Sequence, residues 1–284
     1  MLKQLASHVW AFDLEWVPDP RAGRLVYGLP ENLPDAEVIA EMWQRGGATA
    51  EDPQPYLKTV LCRVVSVAVV IRKQGDDGEV QLDLRSLPLP GDPVLDEATL
   101  ISRFLNGLGK TPRPQLVGFN SQNADLPILL QRGIACGVTA PGFCARPNKP
   151  WEGQDYFVRY GEGHVDLKDL VSGWGKATPS MHELAQVSGI PGKMETSGLD
   201  VVTLWLEGNL RAIVEYNQCD ALTTYLLWLR TVHFAGLLSA EDYTSEQQRL
   251  RELLEGRAVR GEEHVGRYLQ RWNELSTTLP TTPR

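Results

Sequence analysis

The sequence predicts a three-layer α/β/α protein, with helices on both faces of a mixed five-stranded central sheet and a helical extension at the C-terminal end. Three observations lead there. Residues 8–16 alternate between two faces at strand period, two further strand-like runs flank the turn signal Q-G-D-D-G, and from residue 96 onward helical patterns alternate with two short apolar runs. The 284 residues suit one large domain, read as 1–237, followed by the extension at 238–276 and a disordered tail at 277–284.

In the first strand Val9, Ala11, Asp13 and Glu15 alternate with Trp10, Phe12, Leu14 and Trp16, so both carboxylates leave one face. Two carboxylates held together beneath apolar walls repel and lose hydration, a cost that a bound divalent cation offsets. Residues 18–58 carry Pro18, Pro20, Pro30, Pro34, Pro53 and Pro55 and read as an excursion over the mouth of the site, with one helix over 35–45. Residues 60–72 and 79–87 then form a hairpin, and Asp96 caps a helix that buries Leu100, Ile101, Phe104, Leu105 and Leu108.

Q-L-V-G-F-N, residues 115–120, reads as a buried strand ending at Asn120, and the helix after it begins at Asp125 and continues through Leu126, Ile128, Leu129 and Leu130. Asp125 therefore sits near a helix start, facing the strand ends. Residues 146–160 interleave Arg146, Lys149 and Arg159 with Trp151, Tyr156, Phe157 and Tyr160. That mixture suits a surface that tracks phosphates and stacks bases, and equally a loop packed on the core.

A fifth strand over 164–167 leads to a helix over 169–174 capped by Asp169, then to short helices over 181–187 and 199–206. P-G-K at 191–193 is either a phosphate cradle or a plain turn between helices. Residues 210–230 form a long helix that places Tyr216 and Asp220 one turn apart on one face. His164 and His182 read as structural. Two charged amphipathic helices complete the extension.

A net charge of −8 restricts nucleic-acid contact to a local patch, because a whole-surface binder leaves a basic footprint. Cys62, Cys136, Cys144 and Cys219 show no C-x-x-C pairing, and the segment before Asp13 does not look like a signal peptide. The expectation is a reduced, cytoplasmic protein. With no apolar run of spanning length, no membrane contact is expected.

The acid doublet F-D-L-E-W, the segment G-F-N-S-Q-N-A-D-L-P and the segment Y-N-Q-C-D occur in an order that resembles the DEDD superfamily of DnaQ-like 3'-5' exonucleases, in its Tyr-containing subgroup. The likeness covers about residues 8–230 and is greatest to predicted exonucleases related to the proofreading domain of family B DNA polymerases. V-P-D after the first motif, H-V-D-L-K-D-L at 164–170 and S-G-I-P-G-K at 188–193 agree with it.

The resemblance implies an RNase H-like fold and a phosphodiester hydrolase acting on single-stranded or frayed DNA. By the same resemblance Asp13, Glu15, Asp125 and Asp220 would hold two divalent cations, Mg2+ or Mn2+, and Tyr216 would position the attacking water. Leu14, Trp16, Asn120, Lys149 and Trp151 would contact the strand. One departure is that Asn217, not Cys, follows the Tyr, at a position that is no ligand. The alternatives are the same chemistry on RNA and a nucleic-acid-binding accessory module with decayed activity, partnered by a separate replication or repair protein. Against decay, all four carboxylates and the Tyr are present.

Overall fold

The computed structural model describes residues 2–149, 152–194 and 200–278. Strand β1 (His8–Pro18) pairs antiparallel with β2 (Cys62–Gln74), which pairs antiparallel with β3 (Val80–Leu87). On its other side β1 pairs parallel with β4 (Gln115–Gly118), and β4 with β5 (His164–Asp166). The order β3-β2-β1-β4-β5, antiparallel in its first half and parallel in its second, is the expected RNase H-like arrangement. β1 is central because it alone joins the two halves.

Two helices lie in the excursion: α1 (Pro20–Tyr27) and α2 (Asp35–Arg45). Only the second is expected from the sequence. The signal for the first was local, since Asp19 accepts from the Arg21 amide as N-cap and Pro20 takes the first helical position, where its missing N–H costs nothing. After the hairpin come α3 (Glu97–Leu108), α4 (Asp125–Ala135), the short α5 (Pro141–Cys144), α6 (Leu167–Val171), α7 (Met181–Val187), α8 (Asp200–Leu206), the long α9 (Leu210–Phe234), α10 (Ala240–Val259) and α11 (Glu263–Thr278).

The two faces of β1 enter separate cores. Phe12 and Leu14 pack with Val67, Val69 and Ile71 of β2 against α2, α3 and α4. Val9 and Ala11 pack with Ala68, Val70 and Leu84 against α9, α10 and α11. The C-terminal helices therefore share the core of α9, burying Leu250, Leu254, Val265, Tyr268 and Trp272. Arg72 of β2 and Glu246 of α10 meet at 2.6 Å with side chains 1% and 3% exposed, and Tyr225 donates to the same carboxylate.

Three expectations change. The helix after β5 starts at Leu167, and its cap is Asp166, whose carboxylate accepts from the amides of Lys168, Asn120 and Gln122. Asp169 instead pairs with Arg159 at 3.1 Å. Helix α11 continues through Thr278, into the expected tail; residues 279–284 lie outside the described residues, as does Leu199 in the expected helix over 199–206.

Candidate active site

Period two carries Asp13 and Glu15 to the α9 side of the sheet, where the turn spacing of α9 brings Asp220 against them. One carboxylate oxygen from each of Asp13, Glu15 and Asp220 lies within 4.8 Å of the others. The β1–β2 register shifts between Glu15 and Trp16, leaving Val65 without a partner on β1. Such a bulge re-aims the strand beside the acids.

Asp125 faces this trio from the first position of α4 and is 5% exposed. Asn120, just before it, holds φ of 65°, a left-handed conformation that Asn tolerates. Its amide donates to Asp166 at 2.8 Å and its side-chain oxygen accepts from Lys168 Nζ at 3.2 Å, which fixes the turn between β4 and α4.

The electrostatics are those of crowded, dehydrated acids. Burial, then the negative charges of Asp220, Glu15 and Asp125, push Asp13 well above the usual carboxylate range. Glu15 is raised well above its ordinary value by burial, then by Asp220 and Asp125. Asp125 and Asp220 are both pushed up to about 7, chiefly by burial, with backbone hydrogen bonds opposing the shift for Asp125 and the Tyr216 hydroxyl opposing it for Asp220. Oδ1 of Asp220 is buried with no hydrogen-bond partner. A buried carboxylate oxygen left unpaired amid other acids fits a cation, which supplies the missing charge and the missing partner together.

Tyr216, 6% exposed, donates to Asp220, and burial followed by the surrounding acids drives its phenol far above its ordinary value. It therefore remains a proton donor at any physiological pH. Asn217 was discounted from the sequence as a non-ligand, yet its Nδ2 donates to Asp13 Oδ2 at 2.8 Å and its Oδ1 accepts from Ser66 Oγ at 2.9 Å.

The carboxylates open into a cavity of about 450 Å3. Leu14, Trp16 and Asn120 line it, and the excursion adds Trp43 and Tyr56, with Tyr56 edge-on to Trp16 at 6.4 Å between ring centroids. Lys193 of the P-G-K loop also lines it, and its charge acts on Glu15 and Asp220. The loop is held by His182, whose Nδ1 accepts from the Lys193 amide at 3.1 Å. His164 is buried between Ser121 and Gln122, and burial lowers it to about 4.

The 146–160 stretch is different. Tyr156 is fully buried, stacked on Phe143 at 5.4 Å, and its hydroxyl donates to the Pro114 carbonyl at 2.9 Å. Arg146 pairs with Asp155 and Arg159 with Asp169. Lys149 is exposed and does not line the cavity at the carboxylates, and Trp151 lies outside the described residues.

A family described as "Predicted 3'-5' exonuclease related to the exonuclease domain of PolB" matches residues 54–272, a span that contains Asp125, Tyr216 and Asp220 and starts beyond Asp13 and Glu15. No curated protein matches. Among solved structures, the family B DNA polymerase from the hyperthermophilic archaeon Pyrobaculum calidifontis is similar at 18% identity and a TM-score of 0.47, covering 80% of this chain. The chain spans 25% of that polymerase.

Proposed function

The chain belongs to the family of predicted 3'-5' exonucleases related to the exonuclease domain of PolB, and from that premise we propose that it removes nucleotides from the 3' end of single-stranded or frayed DNA, using two divalent cations, Mg2+ or Mn2+. The observation that carries the reading is the convergence of Asp13, Glu15 and Asp220 within 4.8 Å, with Asp125 opposite. Asp13, Glu15 and Asp220 would hold one cation. Asp13 and Asp125 would hold the other. Bound cations of this kind lower the pKa of water and stabilise a leaving oxygen.

The protein's own groups do the positioning. Water's oxygen bonds to phosphorus as the P–O3' bond breaks, releasing a nucleoside 5'-monophosphate and leaving a shortened strand whose 3' oxygen takes up a proton. Tyr216, kept protonated by its burial and then by the acids around it, orients that water and does not deprotonate it. Asn217 holds the Asp13 carboxylate in one orientation. Lys193, the cation at the rim, balances charge on the incoming phosphate. Trp16, Tyr56 and Trp43 make an aromatic wall for the terminal base, and stacking there recognises an unpaired base without reading its identity.

The test uses 5'-labelled single-stranded DNA, a duplex with a frayed end and single-stranded RNA, each with Mg2+, Mn2+ or a chelator. A ladder that shortens from the 3' end of DNA and vanishes with chelator is the expected result. A faster ladder on RNA would overturn the choice of DNA. Absence of cleavage on every substrate with either metal would overturn the enzyme reading.

A further inference from the structure

A cleft of about 800 Å3, larger than the cavity at the carboxylates, lies on the opposite face of the sheet. Strand register explains its floor: Trp10 pairs with Ile71, Val69 with Arg85 and Val67 with Leu87, so these side chains share the face that Asp13 and Glu15 do not use. Its far wall is α3, where Phe104 lies 6.1 Å from Trp10 between ring centroids. Gly107 lets that wall approach, because a Cβ there would stand 2.9 Å from the Trp10 ring. Among the described residues, α3 is the one helix that lines this cleft.

The rim has the other half of the chemistry. Lys73, Arg103 and Lys110 border the cleft, are exposed, and make no ion pair among the described residues. Arg85 is also at the rim, paired with Asp83 at 2.6 Å, and Asp83 is shared with Arg257 at 3.3 Å. In a chain of net charge −8, three unpaired cations around one apolar floor form a local field of the opposite sign.

We propose that this cleft is a docking site for a segment of another protein that combines Asp or Glu with large apolar side chains. The acids meet Lys73, Arg103 and Lys110, and the apolar side chains enter over Val67, Val69, Ile71 and Leu87. The floor selects a peptide over a nucleic acid. Base stacking needs an open aromatic face, whereas Phe104 is buried, Trp10 is only partly exposed with its indole N–H donated to His8, and the rest of the floor is the aliphatic surface of Val67, Val69, Ile71, Leu82 and Leu87.

The probe is a fluorescein-labelled decapeptide of alternating Asp and Leu, titrated into the full chain and followed by anisotropy, with a Lys-Leu decapeptide as control. Saturable binding of the acidic peptide alone is expected, weakened at least tenfold in Lys73→Glu/Arg103→Glu and separately in Lys110→Glu. These side chains have no ion pairs to lose among the described residues, so the variants should melt like the parent and retain its nuclease rate. Binding should persist in Asp220→Ala, which alters the other face. Failure of the parent to bind, or unchanged affinity in both rim variants, would overturn the proposal. Displacement of the peptide by unlabelled oligo-dT, lost in the same rim variants, would replace the peptide with nucleic acid and overturn it equally.

Discussion

Asn217 donates to Asp13 across 204 residues of chain, at 2.8 Å, while Ser66 of the neighbouring strand holds its amide oxygen at 2.9 Å. All three residues lie at the junction of β1, β2 and α9. A carboxylate with one oxygen fixed in this way presents the other at a defined angle, and such supporting bonds govern how well a cation is held.

Asn217→Ala should therefore weaken Mn2+ binding or lower the cleavage rate by about 10- to 100-fold by freeing the Asp13 carboxylate that Asn217 holds. Isothermal titration with Mn2+ alongside the rate on single-stranded DNA makes the measurement. Unchanged affinity and rate would mean that Asp13 is positioned by β1 alone.

Asp220→Asn should abolish most activity, by roughly two to three orders of magnitude or more, while leaving the cation-free protein as stable as the parent or more so. The sign follows from burial. Asp125 and Asp220 sit at about 7 in the folded, cation-free protein, against about 4 for an unfolded Asp. Between these values the folded state retains protons that the unfolded chain has released, so these two groups make stability fall as pH rises from about 4 to about 7, and Asp13 and Glu15, held well above the usual carboxylate range, extend the decline beyond it. Thermal melts in chelator across this range should show a decline that is shallower in Asp220→Asn. Mn2+ at pH 8 should raise the parent's Tm and have less effect on the variant. A parent whose cation-free stability rises with pH over this window would contradict the electrostatics of the cluster.

Tyr216→Phe keeps the packing of a ring that is 6% exposed and removes the hydroxyl that reaches Asp220. A rate loss of about 100-fold or more, with KM for an oligonucleotide little changed, is expected for a group that orients the nucleophile. Parent-like turnover would make the ring a packing element of α9.

Arg72→Met leaves Glu246 without its cation in a site where that side chain is 3% exposed. Removing one member of a buried pair costs about 3–5 kcal/mol. Urea unfolding should report a loss of that size with exonuclease chemistry intact below the transition. A loss under about 1 kcal/mol would show that the Arg72–Glu246 pair contributes little to holding α10 on the sheet.

Local periodicity made much of the site legible. Alternation in V-W-A-F-D-L-E-W assigned Asp13 and Glu15 to one face, and the four-residue interval assigned Tyr216 and Asp220 to one side of a helix, because side-chain direction repeats with the backbone. The helix over 20–27 was readable as well, from Asp19 and Pro20, but the surrounding prolines obscured it.

What the chain by itself determined was thus the element order, the α/β class and the faces from which the acids emerge. Only the tertiary structure decided which groups meet across long separations: Asn217 with Asp13, Lys193 with the carboxylate cavity, Arg72 with Glu246 through 174 residues, and the apolar cleft between β3 and α3. The reason is that backbone geometry repeats over two to four residues and so leaves a periodic trace in the sequence. A contact between distant segments depends on strand register and helix packing and leaves none.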